Sequence, residues 1–187
     1  ELFGSLLEES RRITRIVDLI AELDAWNKEV YFLEKQFEEI DIKQVMAESL
    51  TAFQLKLSNK FETVNQHIEH APIFGHEDGL KQVMSNLIQN IIDYDMGGEL
   101  SIKAKSDGKI YRVTFSHKGT YIEPEMKELI FERFYRLEES RSTKAEGAGL
   151  GLAIAKSIID AHHGTIGLDT DGHHHSFWIR LPIRSIS

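Results

Sequence analysis

The chain has 187 residues, of which 41% are hydrophobic and 28% are charged, a composition typical of a folded globular protein. Its 30 acidic residues outnumber its 22 basic ones, and the formal charge of −8 argues against a nucleic-acid partner, which needs a cationic surface. The sequence contains no cysteine, which excludes disulfides and thiolate chemistry, and no apolar run reaches the ~18–20 residues of a membrane span, so we expect the chain as given to be soluble.

The first 25 residues carry an apolar seam that predicts a helix packed against another helix. Apolar residues recur there at intervals of seven, with others between them: Leu6, Ile13, Ile20, Ile16, Val17 and Leu23. Such a heptad seam is typical of paired helices, and we expect residues 1–25 to find a partner. Charge replaces this pattern over residues 26–40, where we expect one short strand and a linker bounded by residues 26 and 36. Residues 37–187 then form the main domain.

Two helices and a strand are predicted at the start of the main domain. Asp41 followed by Gln44 matches a capping box, and an apolar helical stripe follows it, made of Ile42, Val45, Met46, Leu50, Phe53 and Leu57. Residues 63–69 are compatible with a strand, and Asp78 is a candidate cap for the next helix. That helix is expected to pack inward through the stripe Leu80, Val83, Met84, Leu87, Ile88, Ile91 and Ile92.

Two hairpins complete the predicted domain. Residues 99–105 and 109–116 read as strands, and the Asp-Gly pair between them favours a tight turn. Residues 164–169 and 176–181 flank a second turn in the same way. Helices on one face of a largely antiparallel sheet predict an α+β fold, a two-layer α/β sandwich preceded by a long helix.

The polar face of the helix after Asp78 has the chemistry of a cation site. Asn86, Asn90 and Asp93 are four and three residues apart, so they share one helical face opposite the apolar stripe. Amide and carboxylate oxygens suit Mg²⁺, which usually also takes phosphate oxygens from a nucleotide. Taken alone, these residues fit an ordinary solvated helix face at least as well.

A glycine-rich segment precedes the last apolar helical run. Its glycines are Gly147, Gly149 and Gly151. Glycines let backbone N–H groups approach a polyphosphate, and the positive end of the following helix favours that anion. A lone run of this kind is also compatible with a flexible loop.

The order of three motifs resembles that in the ATP-binding catalytic domain of sensor histidine kinases. The run NLIQNIIDY (86–94) resembles their asparagine box, IFERFYRLEESRS (130–142) their phenylalanine box, and GAGLGLAIAKSIIDAH (147–162) their second glycine box. Residues 6–23 resemble the second helix of the family's dimerisation hairpin. The resemblance implies the sandwich of the histidine kinase and Hsp90-type ATPases, with ATP and Mg²⁺ as ligands.

The resemblance also implies roles for residues at the nucleotide. It makes Asn90 a Mg²⁺ ligand with Asn86 beside it, and it places Tyr94 near the adenosine part. The residues expected along or beneath the phosphates are Gly147, Gly149, Gly151, Leu150 and Leu152.

A mobile lid is implied between the phenylalanine box and the second glycine box. Phe131 and Phe134 match the residues that anchor it, and its tip would span residues 137–146. Its cations, any of which could reach a phosphate, are Arg133, Arg136, Arg141 and Lys144.

Several candidate nucleotide-binding positions depart from the family pattern. The first glycine box of the family, which reads Asp-x-Gly-x-Gly, aligns with the stretch 117–122 of this chain. Within that stretch only Gly119 and Ile122 fit the family. His117 replaces the Asp that accepts a hydrogen bond from the adenine amino group, and Tyr121 replaces a glycine beside the nucleotide. Asp93 stands where the family commonly has Lys. Each change is expected to weaken ATP binding.

Two functions are therefore weighed. The first is a kinase domain that binds Mg-ATP and passes the γ-phosphoryl group to a histidine on an upstream helix absent from this chain, for relay to the receiver domain of a response regulator. It implies a homodimer formed through the dimerisation helices, in the cytoplasmic part of a membrane-anchored bacterial sensor. The second is a degenerate regulator, a pseudokinase domain that binds nucleotide weakly or not at all.

Two histidine clusters, residues 162–163 and 173–175, could be brought together by the final hairpin, as a Zn²⁺ site would require. An ordinary role is favoured, because His162 falls where the family has a histidine after the second glycine box. No histidine of the chain has the family's phosphoacceptor context.

Overall fold

The structure, a computed structural model, describes residues 36–135 and 149–183 together with part of residues 9–25. The described part of residues 9–25 is helical, and three of its apolar side chains are exposed in the single chain: Ile13 by 56%, Val17 by 57% and Ile20 by 44%. Three of the four described seam residues are therefore exposed, and the fourth, Ile16, is half-buried. Leu6, Leu23 and nearly all of the predicted linker lie outside the described residues.

The described part of the main domain contains seven strands and four α-helices. The strands are β1 (Glu38–Asp41), β2 (Thr63–Ile68), β3 (Pro72–Gly75), β4 (Glu99–Ser106), β5 (Ile110–Lys118), β6 (Thr165–Thr170) and β7 (His174–Pro182). The helices are α1 (Ile42–Ala52), α2 (Gln54–Lys60), α3 (Glu77–Tyr94) and α4 (Gly151–Ala161). Two short 3₁₀ turns, Pro124–Met126 and Leu129–Phe131, follow β5. None of the described helices is long and apolar enough to cross a bilayer.

Five strands form the main sheet in the order β2-β4-β5-β7-β6, in which β2 and β4 are parallel and every other pair is antiparallel. Side chains alternate along β5, so Tyr111, Val113, Phe115 and His117 all face the buried side. This face packs against the apolar stripes of α3 and α4 in one core. The predicted two-layer α/β sandwich is confirmed, and both predicted hairpins are present.

A second, two-stranded sheet pairs β1 with β3 in antiparallel register. Strand β3 was not predicted, because four residues are too few to show an alternating pattern. The pairing brings the start of the domain against the segment that leads into α3.

Helix α1 begins as predicted but its capping box is incomplete. The Oδ1 atom of Asp41 accepts a hydrogen bond from the backbone nitrogen of Lys43 at 2.9 Å. Gln44 does not complete the box, because its amide donates to Glu48 one turn further on. The helix also ends sooner than the apolar stripe predicted, since Phe53 has φ −102° and ψ 5° and separates α1 from α2.

Asp78 does not cap α3, contrary to the prediction. The cap is His76, whose backbone is extended and whose Nδ1 accepts from the backbone nitrogen of Gly79 at 3.0 Å. Asp78 already lies in the first turn of the helix, where its negative charge favours the positive end of the helix dipole.

Candidate nucleotide-binding site

Residues 119–122, which follow β5, form the first glycine loop. The end of α3 crosses this loop, and backbone contacts hold the two together. Asp95 pairs with Gly119 in an antiparallel bridge, and the nitrogen of Thr120 donates to the carbonyl oxygen of Tyr94 at 2.9 Å. Gly119 has no room for a side chain, because a Cβ atom there would lie 2.8 Å from Cδ2 of His175 and 3.1 Å from the oxygen of Tyr94. The asparagine box and the first glycine loop are therefore in direct contact.

A buried pair, Asp95 and His117, lies next to this crossing. The Nδ1 atom of His117 is 2.8 Å from Oδ2 of Asp95, and the two side chains are 1% and 0% exposed. The other oxygen of Asp95, Oδ1, accepts from the backbone nitrogen of Gly97. Burial lowers the pKa of His117 below its ordinary value, and the hydrogen bond to Asp95 offsets only part of this effect. The ring is therefore neutral at pH 7.

The second ring nitrogen of His117 has no hydrogen-bond partner among the described residues, although it is fully buried. The ring stacks on Phe177 with centroids 6.1 Å apart and planes 9° apart. An unpaired buried polar atom costs about 1–3 kcal/mol, so such an atom calls for a physical reason. A buried acceptor fits a ligand that brings an N–H group, and the adenine amino group implied by the family resemblance is such a group.

The histidines of the β6–β7 turn hold the first glycine loop. The Nε2 atom of His175 donates to the carbonyl oxygen of Thr120 at 2.9 Å, and its Nδ1 is 2.9 Å from Oγ1 of Thr170. The Nδ1 atom of His173 is 3.1 Å from the oxygen of Gly119. Within the described ranges, no group of three or more His, Asp and Glu side chains is placed to hold a metal ion.

His162 joins the end of α4 to the segment before α3. Its Nε2 accepts from the backbone nitrogen of His76 at 2.9 Å, and its Nδ1 donates to the oxygen of Ile158 at 2.7 Å. Its ring stacks on Phe37 with centroids 4.6 Å apart. These contacts give His162 a structural role.

The predicted metal-binding face of α3 meets the second glycine box. The amide nitrogen of Asn86 donates to the oxygen of Gly151 at 3.0 Å, while its Oδ1 accepts from Gln82 at 3.0 Å. Asn90 lies one turn further along and is half-buried, and Asp93 is exposed. Since the side-chain oxygen of Asn86 is already engaged, Asn90 is the stronger candidate for a Mg²⁺ ligand.

The two ends of the predicted lid meet. The backbone nitrogen of Phe134 donates to the oxygen of Gly149 at 2.9 Å, and both residues have positive φ, 63° and 73°. Phe131 is buried and packs edge-on against Phe177, with centroids 6.5 Å apart, whereas Phe134 is exposed. The candidates buried beneath the site are Ile122, Leu150 and Leu152. The candidates Lys144, Gly147, Arg136 and Arg141 lie outside the described residues.

Tyr121 was expected to crowd the nucleotide, and its ring contacts the β6–β7 turn. A Cβ atom on Gly172 would lie 2.6 Å from Cε2 of Tyr121, and the Tyr121 ring meets that of His173 edge-on at 5.2 Å. Its side chain is still 47% exposed. Contact with a nucleotide stays a prediction.

Asp95 was missed as a candidate. In the sequence, His117 stands as an isolated replacement for a carboxylate, 22 positions away from Asp95. The signal was available, because Asp95 directly follows Tyr94 at the end of the asparagine box. The structure shows that Asp95 lies on the partner segment of the same crossing.

Comparisons with known proteins agree with this arrangement. Residues 75–185 match the family described as Histidine kinase-, DNA gyrase B-, and HSP90-like ATPase. The signal transduction histidine-protein kinase BaeS of Escherichia coli strain K12 is 31% identical over 168 residues, which cover 89% of this chain and 36% of BaeS.

Two solved structures extend the likeness to the fold. The Acinetobacter baumannii histidine kinase AdeS has a TM-score of 0.71 at 25% identity, covering 98% of this chain and 85% of that one. Histidine kinase ThkA in complex with the response regulator protein TrrA has a TM-score of 0.73 at 23% identity, covering 94% and 49%, and this second likeness shows the fold alone. The chain belongs to the histidine kinase, DNA gyrase B and HSP90-like ATPase family, and it carries the ATP-binding catalytic domain of a sensor histidine kinase.

Proposed function

We propose that this domain binds ATP with Mg²⁺ and presents the γ-phosphoryl group to a histidine on an upstream helix, from which the receiver domain of a response regulator takes it. The observation that carries the proposal is the meeting of three motifs. Asn86 bonds to Gly151, and the carbonyl oxygen of Tyr94 accepts from the nitrogen of Thr120, so the asparagine box touches both glycine loops. Because the chain spans 36% of the length of BaeS, the activity of the whole protein is part of the proposal.

The start of α4 is suited to the phosphates. No side chain among the described residues caps this helix, so its first N–H groups are open to an anion. Gly149 precedes it with φ 73°, and a Cβ atom on Gly151 would lie 3.8 Å from the side chain of Asn86, its nearest neighbour outside the adjoining chain and helix backbone. Asn90, on the neighbouring helix, would hold Mg²⁺ between the protein and the phosphates. When bound, ATP supplies the phosphoryl group, and these residues position it.

The proposed dimerisation helix spans residues 1–25, the linker residues 26–36, and the catalytic domain residues 37–187. The exposed seam residues Ile13 and Ile20 support a homodimer formed through that helix, because an apolar stripe of this kind is seldom left open to water. The relatives are sensor kinases by name, which supports a cytoplasmic domain of a membrane-anchored bacterial sensor.

The test joins this chain to the natural segment that precedes it, so that the phosphoacceptor helix is present. Incubation with ATP labelled at the γ-phosphate should label a histidine of that helix and then a purified response regulator. Matched reactions without Mg²⁺ should stay unlabelled. Absence of label in a folded protein that binds Mg-ATP would contradict the proposed transfer. The degenerate regulator weighed from the sequence receives no support from the comparisons.

A further inference from the structure

We infer that Asp95 fixes the tautomer of His117, and that this pair makes the site select adenine over a base with an oxygen at C6. His117 is then the residue that reads the base, and Asp95 is a positioning residue that acts through it. The inference rests on the proposed function, because it states how the same site recognises its nucleotide.

The position of the ring proton follows from Asp95. Its Oδ1 accepts from the backbone nitrogen of Gly97, and its Oδ2 faces Nδ1 of His117 at 2.8 Å. A carboxylate in this setting accepts at both oxygens, so Nδ1 must be the atom that donates. In a neutral imidazole the hydrogen bond at one nitrogen decides the state of the other. Nε2 of His117 therefore carries a lone pair.

That lone pair is buried and held in one direction. The His117 ring stacks on Phe177 and lies 5.4 Å from the ring of His175, so it has little freedom to turn. A fixed acceptor pairs with the amino group at C6 of adenine. It repels the carbonyl oxygen that guanine and hypoxanthine carry at C6, and that repulsion is the source of selectivity.

The other two buried histidines, His162 and His175, have no ring nitrogen left to accept a hydrogen bond from a ligand. Both ring nitrogens of His162 are engaged, with Ile158 and with the backbone of His76. Both ring nitrogens of His175 are engaged as well, with Thr120 and Thr170. Across residues 36–135 and 149–183, the buried side-chain polar atom left without a partner is Nε2 of His117.

The variant Asp95→Asn should exchange the donor and acceptor roles in the hydrogen bond between residue 95 and Nδ1 of His117. Gly97 still needs an acceptor, so the amide oxygen takes that side and the amide nitrogen faces Nδ1 of His117 as a donor. The ring proton then moves to Nε2, which becomes a donor. Calorimetry with ATP and with inosine triphosphate, which has a carbonyl oxygen at C6, should show the ratio of the two affinities fall by about ten- to a hundredfold.

A second variant restores a hydrogen-bond acceptor for the adenine amino group, with a carboxylate oxygen in place of the ring nitrogen of His117. In Asp95→Asn/His117→Asp, the amide nitrogen donates to the new carboxylate, whose free oxygen again accepts from the adenine amino group. The preference for ATP should return. The matched control is Asp169→Asn, because Asp169 forms an exposed pair with Arg112 at 3.8 Å. The control should leave the ratio unchanged.

Nitrogen NMR of the histidine rings gives a readout apart from nucleotide binding. The signal missing from the double variant belongs to His117, and in the starting chain it should show a proton on Nδ1 and none on Nε2. In Asp95→Asn the His117 signal should instead show a proton on Nε2 and none on Nδ1.

Three results would overturn the inference: a proton on Nε2 in the starting chain, a starting chain that binds the inosine nucleotide as well as ATP, or an unchanged ratio in folded Asp95→Asn. The second needs no variant, so it decides the matter even if Asp95→Asn does not fold. A starting chain that binds neither nucleotide would instead overturn the proposed function, and this inference with it.

Discussion

The amide nitrogen of Asn86 lies 3.0 Å from the carbonyl oxygen of Gly151, and this one hydrogen bond joins two motifs that are 65 residues apart in the sequence. It holds the start of α4, where the phosphates are proposed to bind, against the middle of α3. Asn86 therefore has a structural task that the family resemblance alone did not reveal.

Asn86→Ala should lower the free energy of unfolding by about 1 kcal/mol, because it removes hydrogen bonds to Gly151 and Gln82 at a half-buried position. Urea denaturation followed by circular dichroism measures the loss. Asn65→Ala, at an exposed asparagine paired with Glu99 on the sheet, is the control and should change stability less. Equal effects would show that the link between α3 and α4 has no special weight.

Asn90→Ala should affect ATP binding and leave stability almost unchanged, because no hydrogen bond of the Asn90 side chain is found among the described residues. Stability should stay within about 0.5 kcal/mol of the starting chain. The gain in ATP affinity on adding Mg²⁺ should disappear, since the variant lacks the proposed ligand oxygen. Calorimetry with and without Mg²⁺ decides the point. An unchanged response to Mg²⁺ would rule out Asn90 as the ligand.

Gly151→Ala separates a role at the phosphates from a role in folding. A Cβ atom there would make only ordinary contact with Asn86, at 3.8 Å, so the fold should tolerate it. The added methyl group should still weaken ATP binding if the phosphates come close to this backbone. Thermal denaturation and ATP titration are measured together on the same protein.

Gly119→Ala is the counterpart on the first glycine loop. Its Cβ atom would lie 2.8 Å from His175 and 3.1 Å from the oxygen of Tyr94, so it must displace the loop and should destabilise the domain. A Gly119→Ala variant as stable as Gly151→Ala would show that the crossing of α3 and the loop is looser than described.

Stability should fall as the pH is lowered from about 7.5 to about 5.5. Burial lowers the pKa of His117, His162 and His175 below the ordinary value, so the folded protein keeps them neutral while the unfolded chain takes up protons. The neutral-state stabilisation is present above the ordinary histidine pKa of 6.5 and is lost as the pH falls towards the folded-state values. Each residue contributes at most about 1.4 kcal/mol per pH unit.

The measurement is a series of urea denaturations across this pH range. His162→Gln should flatten the dependence, because it removes one of the buried histidines. A stability that does not change over this range would contradict the assignment of neutral buried histidines.

Ile20→Glu should turn a dimer into a monomer. Ile13 and Ile20 are 56% and 44% exposed in the single chain, and a charge in the seam between two helices is costly to bury. Sedimentation equilibrium measures the mass. Arg11→Glu, on the opposite side of the same helical segment, should leave the association intact. A monomeric starting chain would contradict the proposed dimer.

The helices and the main sheet could be predicted because their patterns are long. The stripe from Leu80 to Ile91 spans three turns of helix, and the hairpin strands alternate over six or more residues. The four-residue strand β3 and the cap at His76 were missed, because one turn or one short strand carries too little periodicity.

The candidate site was predictable motif by motif but not as a network. Spacing correctly placed Asn86 and Asn90 on one helix, and Gly149 just before the start of α4. It could not show that Asp95 faces His117 across a crossing between α3 and β5, since the two residues are 22 positions apart and belong to no shared pattern. Contacts of this kind arise from packing, and a single sequence does not encode them locally.

The most direct test of the proposed nucleotide site is calorimetric titration of this chain with ATP in the presence and absence of Mg²⁺. We predict saturable binding of one ATP for each chain, strengthened by Mg²⁺ and tighter than the binding of inosine triphosphate. A chain that is folded by circular dichroism, yet shows no binding at millimolar Mg-ATP, would contradict it.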